Sequence, residues 1–139
     1  MQKKLIMLGL FFSIFLQGQA WANYTCNQSL VGNVINDNIV VPKGASCHLN
    51  GVIVNGNVSS NSNSELMIAN SQIFGHLRSQ SSAKISLINS AVQSYVELKG
   101  FTPLLQITNT EIKGSLHCDN GIKFGGSNNF INGAVKCKR

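Results

Sequence analysis

A unit of 19 residues recurs along this chain from Asp37 to the C-terminus, with a single interval of 20, and few globular folds write such a period. Glycine shows it first. Gly56 and Gly75 lie 19 apart, Ser94 takes the next place, and Gly114 and Gly133 follow after steps of 20 and 19. Self-similarity at this length describes one supersecondary unit stacked on itself, because so short a unit cannot bury its own apolar face without a copy on either side.

Aligning the units gives columns. Leu49, Ile68, Leu87 and Ile107 form one, and two places ahead stand Cys47, Leu66, Ile85 and Leu105. A third holds Val54, Ile73, Val92, Ile112 and Ile131, and a fourth Ile39, Val58, Leu77, Val96, Leu116 and Val135. The period of two within each unit is that of strands. It puts these side chains on one face, with polar neighbours such as Ser86, Gln106, Asn57 and Arg78 pointing out. Coils stacked about 4.8 Å apart would pair equivalent strands in parallel and turn each column into a continuous buried ladder.

Asn70, Asn89, Asn109 and Asn128 share a further column, with Gly51 in its first place. Asn and Gly tolerate a left-handed bend at low cost, and stacked Asn side chains can bond to one another along the column. In this the sequence resembles the parallel β-helix proteins, whose coils commonly carry such a ladder at a tight turn, over about residues 37 to 135. The resemblance implies an all-β, single-stranded parallel β-solenoid of about five to six 19-residue coils. The absence of a six-residue period favours a right-handed coil. Function does not follow from the fold, which adhesins, lyases, cytoskeletal polymers and inhibitors share.

The interval of 20 requires a bulge around Lys99-Gly100-Phe101-Thr102-Pro103. Phe101 is expected to fold back over a coil edge; an exposed recognition residue is the other possibility.

At the N-terminus, Lys3 and Lys4 precede an apolar run of 12 residues from Leu5 to Leu16, and Ala20-Trp21-Ala22 follows. Charge, apolar stretch and A-x-A make residues 1–22 a signal peptide, since a membrane anchor needs about 20 apolar residues. Cleavage leaves residues 23–139 as one β-solenoid domain with no membrane span, exported to the periplasm or beyond the cell. The brevity of the leader fits a bacterial envelope protein. The mature chain carries nine Lys and Arg against five Asp and Glu, scattered and without interleaved aromatics, which argues against a nucleic-acid partner.

Four cysteines in a short exported chain imply a disulfide framework, for which three pairings exist. The columns choose among them. Cys118 and Cys137 are 19 apart, hence at one position in neighbouring coils, while Cys26 and Cys47, 21 apart, would tie a non-repeating N-terminal segment to the first full coil. Both ends of the solenoid would then be stapled, each bridge contributing on the order of 3 kcal/mol. No CxxC occurs and the three histidines share no column, so no metal site or other cofactor is expected.

Chemistry has one conspicuous place to sit. Beside the fourth apolar column an outward row reads Ser59, Arg78, Glu97, His117, Lys136, and its companion Asn57, His76, Tyr95, Ser115, Ala134. Stacking would bring Arg78 to Glu97 and Glu97 to His117, with His76 and Tyr95 alongside. Such a strip suits a glycan or an envelope protein as partner. It also suits a plain charge ladder, worth less than about 1 kcal/mol per pair. Catalysis has little to build on: Asp37 and Asp119 stand at opposite ends, and Glu97 and Glu111 on different columns, where glycoside hydrolysis needs paired carboxylates. The sequence therefore points to a monomeric, non-enzymatic exported binding or structural protein using His76, Arg78, Tyr95, Glu97 and His117. A self-assembling envelope scaffold or adhesin is the alternative, and a polysaccharide-cleaving enzyme a minor one.

Overall fold

Alternating short apolar segments become three parallel sheets in the computed structural model, which describes residues 22–119 and 122–138. The expected signal peptide, residues 1–22, falls outside the described residues except for Ala22. The first sheet has seven strands: Asn23–Thr25, Asn38–Val41, Val58–Ser60, Leu77–Gln80, Val96–Lys99, Leu116–Cys118 and Val135–Lys136. The second has five, Ser29–Val31, Ser46–Asn50, Glu65–Ala69, Lys84–Ile88 and Leu104–Thr108. Six two-residue strands make the third: Val34–Ile35, Ile53–Val54, Gln72–Ile73, Ala91–Val92, Glu111–Ile112 and Phe130–Ile131. Each coil visits the three sheets in turn, and the chain is an all-β parallel solenoid of about six coils.

Register follows the apolar columns. Leu49, Ile68, Leu87 and Ile107 are successive partners, as are Ile39, Val58, Leu77, Val96, Leu116 and Val135. All are buried except Val135, which has a ladder partner on one side only among the described residues and is 45% exposed. Left-handed Gly32, Gly51, Asn70, Asn89 and Asn109 make the turn from the second sheet to the third. The amide of Asn70 donates to Asn50 Oδ1 at 3.1 Å, that of Asn89 to Asn70 at 3.5 Å, and that of Asn109 to Asn89 at 3.1 Å. At the turn back to the first sheet the backbones nearly touch: a Cβ at Gly75 would lie 2.6 Å from the Gly56 carbonyl oxygen, which leaves room only for hydrogen.

Three expectations need correcting. The solenoid starts before Asp37: Leu30 pairs with Leu49 and Ile35 with Val54 at the 19-residue spacing, so the N-terminal segment is itself a coil. It escapes notice because Tyr24 and Ile39 are only 15 apart, the missing residues being taken out between Thr25 and Ser29. Phe101 does not fold back but stands 65% exposed. Lys99 pairs with Gln80 and Leu104 with Lys84, so the extra residue falls between them, at a corner already filled by Ser64, Ser82 and Thr102. No space remains inside for a phenyl ring. Ser86 occupies an outward position yet is only 4% exposed, flanked in the ladder by the longer Met67 and Gln106.

That filled corner is polar. Ser60 and Ser64 share a hydrogen bond of 2.6 Å, and Ser79 donates to Ser82, which donates to Ser60, both at 2.8 Å. One coil on, Leu98 replaces Ser79, and the buried Thr102 hydroxyl has no hydrogen-bond partner among the described residues. Desolvating a hydroxyl without a hydrogen bond costs about 1–3 kcal/mol. Thr102→Val, which keeps the shape, is expected to raise the unfolding free energy by about 1 kcal/mol in urea denaturation; a loss of stability would mean the hydroxyl is bonded.

Disulfides join Cys26 to Cys47, with Cα atoms 5.4 Å apart, and Cys118 to Cys137, at 4.9 Å. The chain's last described residues are tied down as well, since Phe124 N–H donates to the Lys138 carbonyl at 2.9 Å and Lys138 N–H to that of Ile122 at 3.1 Å. Among the described residues no helix is long and apolar enough to cross a membrane.

Candidate functional site

Buried residues on the first sheet decide which side chains reach solvent. Leu77, Ser79, Val96, Leu98, Leu116 and Cys118 point inward, so Arg78, Glu97 and His117 between them point outward. His76 and Tyr95 precede these strands and continue the same alternation. An asparagine fixes the entry to the row: Asn38 Oδ1 accepts from the Asn57 N–H, and Asn57 Oδ1 from the His76 N–H, both at 2.9 Å.

Four of the five expected residues come together. The rings of His76 and Tyr95 stack with centroids 4.8 Å apart and planes 10° from parallel. Arg78 lies over the Tyr95 ring, its guanidinium carbon 5.6 Å from the centroid, while its Nε is 3.4 Å from Glu97 Oε1. His117 is beside Glu97 in register, but its ion contact is with Asp119, Nε2 to Oδ1 at 3.7 Å. Asp119 in turn accepts from the Gly100 N–H at 3.1 Å. The expected Glu97–His117 contact thus gives way to a pair within one coil, because Asp119 is two residues along on the same side.

Burial holds His76 below its usual pKa of 6.5, the Arg78 charge adds to this, and Glu97 opposes it. Folding therefore favours the neutral imidazole. The unfolded chain takes up the proton more readily, so the contribution of His76 to stability is complete above the unfolded pKa and declines as pH falls through the folded one. A histidine titration by NMR should give His76 a midpoint under 6.5, and Arg78→Gln should move it upward by removing the neighbouring cation. A midpoint unmoved in Arg78→Gln would show that the guanidinium lies elsewhere in solution.

Next to Arg78 and Glu97 the sheet carries an open depression of about 250 Å³, lined by Ser59, Ser60, Asn61, Arg78, Ser79, Gln80, Glu97 and Lys99. Asn61, Gln80 and Lys99 were not foreseen as site residues. The signal was present, because they stand two places after Ser59, Arg78 and Glu97, on the same outward face. A roomier groove of about 410 Å³ follows the asparagine column past Asn70, Asn89 and Asn109. Its amides are committed to one another along the ladder, which leaves it with fewer free donors.

Among the described residues, no three of His, Cys, Asp and Glu converge as ligands for a metal ion. Glu97 lies on the first sheet and Glu111 on the third. No protein-family model, curated protein or solved structure matches the chain.

Proposed function

We propose that this is an exported, non-enzymatic binding protein of the cell envelope, which holds its ligand, a glycan, on the strip of His76, Arg78, Tyr95 and Glu97, with His117 at its far end. One observation carries this: the strip's side chains are fixed by one another, through the His76–Tyr95 stack, the Arg78–Tyr95 contact and the Arg78–Glu97 pair, on a sheet whose interior is closed. Groups held in place before binding lose little entropy on meeting a ligand. Export is supported by the leader and by two disulfides, which fit an oxidising compartment.

The test is an array of envelope glycans and acidic polysaccharides probed with the oxidised mature protein and with a triple variant, Arg78→Ala, Tyr95→Ala and Glu97→Ala. Binding is expected for the parent and is expected to drop at least about a hundredfold in the folded variant, more than 2 kcal/mol. Retention of full affinity in the variant would place the ligand on another face.

Self-assembly into a scaffold is the second reading. The outer edges of strands Ser29–Val31 and Val34–Ile35 have no partner among the described residues. At the other end Phe130–Ile131 and Val135–Lys136 also lack outer partners among the described residues, so a scaffold would lengthen head to tail, whereas the binding reading expects a monomer by sedimentation at micromolar concentration.

A further inference from the structure

We infer that the ligand of this strip is an anionic sugar whose acidic group sits in the depression between Arg78 and Lys99. The inference rests on the strip being a binding surface and goes further by naming the chemistry of what it binds.

Donors and acceptors in the depression are out of balance. Arg78 brings five N–H donors and Lys99 three, and neither has any acceptor; Asn61 and Gln80 add amide groups and Ser59 a hydroxyl. The single carboxylate is Glu97, and it is already engaged by Arg78 through Nε. That contact leaves the terminal guanidinium nitrogens without an ion contact, and Lys99 makes none either among the described residues. Within the lining, one carboxylate against two cations leaves a local excess of one positive charge, with Asp119, the ladder neighbour of Lys99, turned to the Gly100 N–H and to His117. A neutral glycan would leave it unanswered, whereas a carboxylate or sulfate would accept from both cations.

Arg78 is also prepared for the task. Glu97 and Tyr95 restrain the guanidinium of a side chain that is 55% exposed, so that part of its freedom is lost before any ligand arrives. Lys99 sits two residues beyond Glu97 on the same strand, and its backbone is held in the ladder opposite Gln80.

A sugar ring, as opposed to a bare anion, is called for by what lies alongside. His76 covers one face of Tyr95 by stacking. On the other side the ladder neighbour is Ser115, followed by Ala134, both too small to cover the ring. The part of the half-buried Tyr95 ring that His76 and Arg78 leave uncovered can take the C–H face of a pyranose, and the small polar groups of Ser59, Asn61 and Gln80 suit hydroxyls. An oligosaccharide lying along the stack would meet the depression and the aromatic face within neighbouring coils.

The experiment is calorimetric titration of the oxidised mature protein with three tetrasaccharides: oligogalacturonate, its neutral methyl ester, and a sulfated heparin fragment. Folded Lys99→Gln, Tyr95→Ala and Lys113→Gln variants are titrated in parallel. Lys113 serves as a control of equal charge change, because it follows strand Glu111–Ile112 of the third sheet. At least one anionic oligomer is expected to bind about tenfold or more tighter than the ester, with Lys99→Gln erasing most of that preference and Lys113→Gln keeping it. Comparison of the two anionic arms shows whether carboxylate or sulfate is the favoured group. Equal affinity for the acid and its ester, lost in Tyr95→Ala, would overturn the anionic assignment while leaving the binding strip intact. An equal loss in Lys99→Gln and Lys113→Gln would reduce the effect to overall charge and overturn it too. Absence of binding to both anionic oligomers overturns the inference, and absence across the glycan array as well removes the binding strip with it.

Discussion

Leu87→Ala should lower the unfolding free energy by about 2–5 kcal/mol in urea denaturation, the range for removing a large aliphatic group from a core that cannot close over the gap. Leu87 is fully buried between Ile68 in one neighbouring coil and Ile107 in the next, so the lost atoms touch both. In a stacked chain, stability is close to a sum of contacts between adjacent coils, and a cavity in a central coil weakens two interfaces at once. The contrast is Val135→Ala in the same type of column at the end of the stack. Val135 is 45% exposed with a ladder neighbour on one side only among the described residues, and its truncation should cost under about 0.5 kcal/mol. Equal costs at the two positions would contradict a continuous core running through the coils.

Loss of either disulfide should be comparably large. Replacing both members of one pair by Ala is expected to cost about 3 kcal/mol, since each bridge closes a loop near 20 residues long and constrains the unfolded chain accordingly. The two should differ in the order in which they open. Cys26 and Cys47 are both fully buried, whereas Cys118 is 7% exposed and Cys137 only partly buried. Thiol exchange needs access to a sulfur, so mild reductant followed by alkylation and peptide mapping should label Cys118 and Cys137 first. Simultaneous labelling of all four would indicate that opening requires global unfolding. Even then the denaturation experiment measures each staple separately.

Much of this fold is legible in the sequence because parallel stacking converts spatial neighbours into residues at a fixed chain distance. The Asn70, Asn89 and Asn109 turn, the Leu77 and Leu87 columns and the Cys118–Cys137 bridge all follow from that one distance. What escaped depends on the size of neighbouring side chains or on a break in the count. Ser86 is shaded because Met67 and Gln106 happen to be long, and Phe101 stays outside because serines already fill its corner. The first coil was hidden by a shortened connection, although Gly32 stands 19 residues before Gly51 and shares its left-handed backbone. At the candidate site, register alone brings Arg78 to Glu97. Register could not choose between Glu97 and Asp119 as the companion of His117, since that depends on rotamers within one coil.

The constancy of the ladder has a consequence for how such a chain can change length. Between the shortened first connection and the interval of 20 the columns repeat in step, so duplicating or excising one whole coil, for example residues 77–95, brings equivalent positions back into register across the join. The solenoid behaves as a ruler graduated in coils: its outward face lengthens or shortens by one rung at a time while the stapled ends stay as they are.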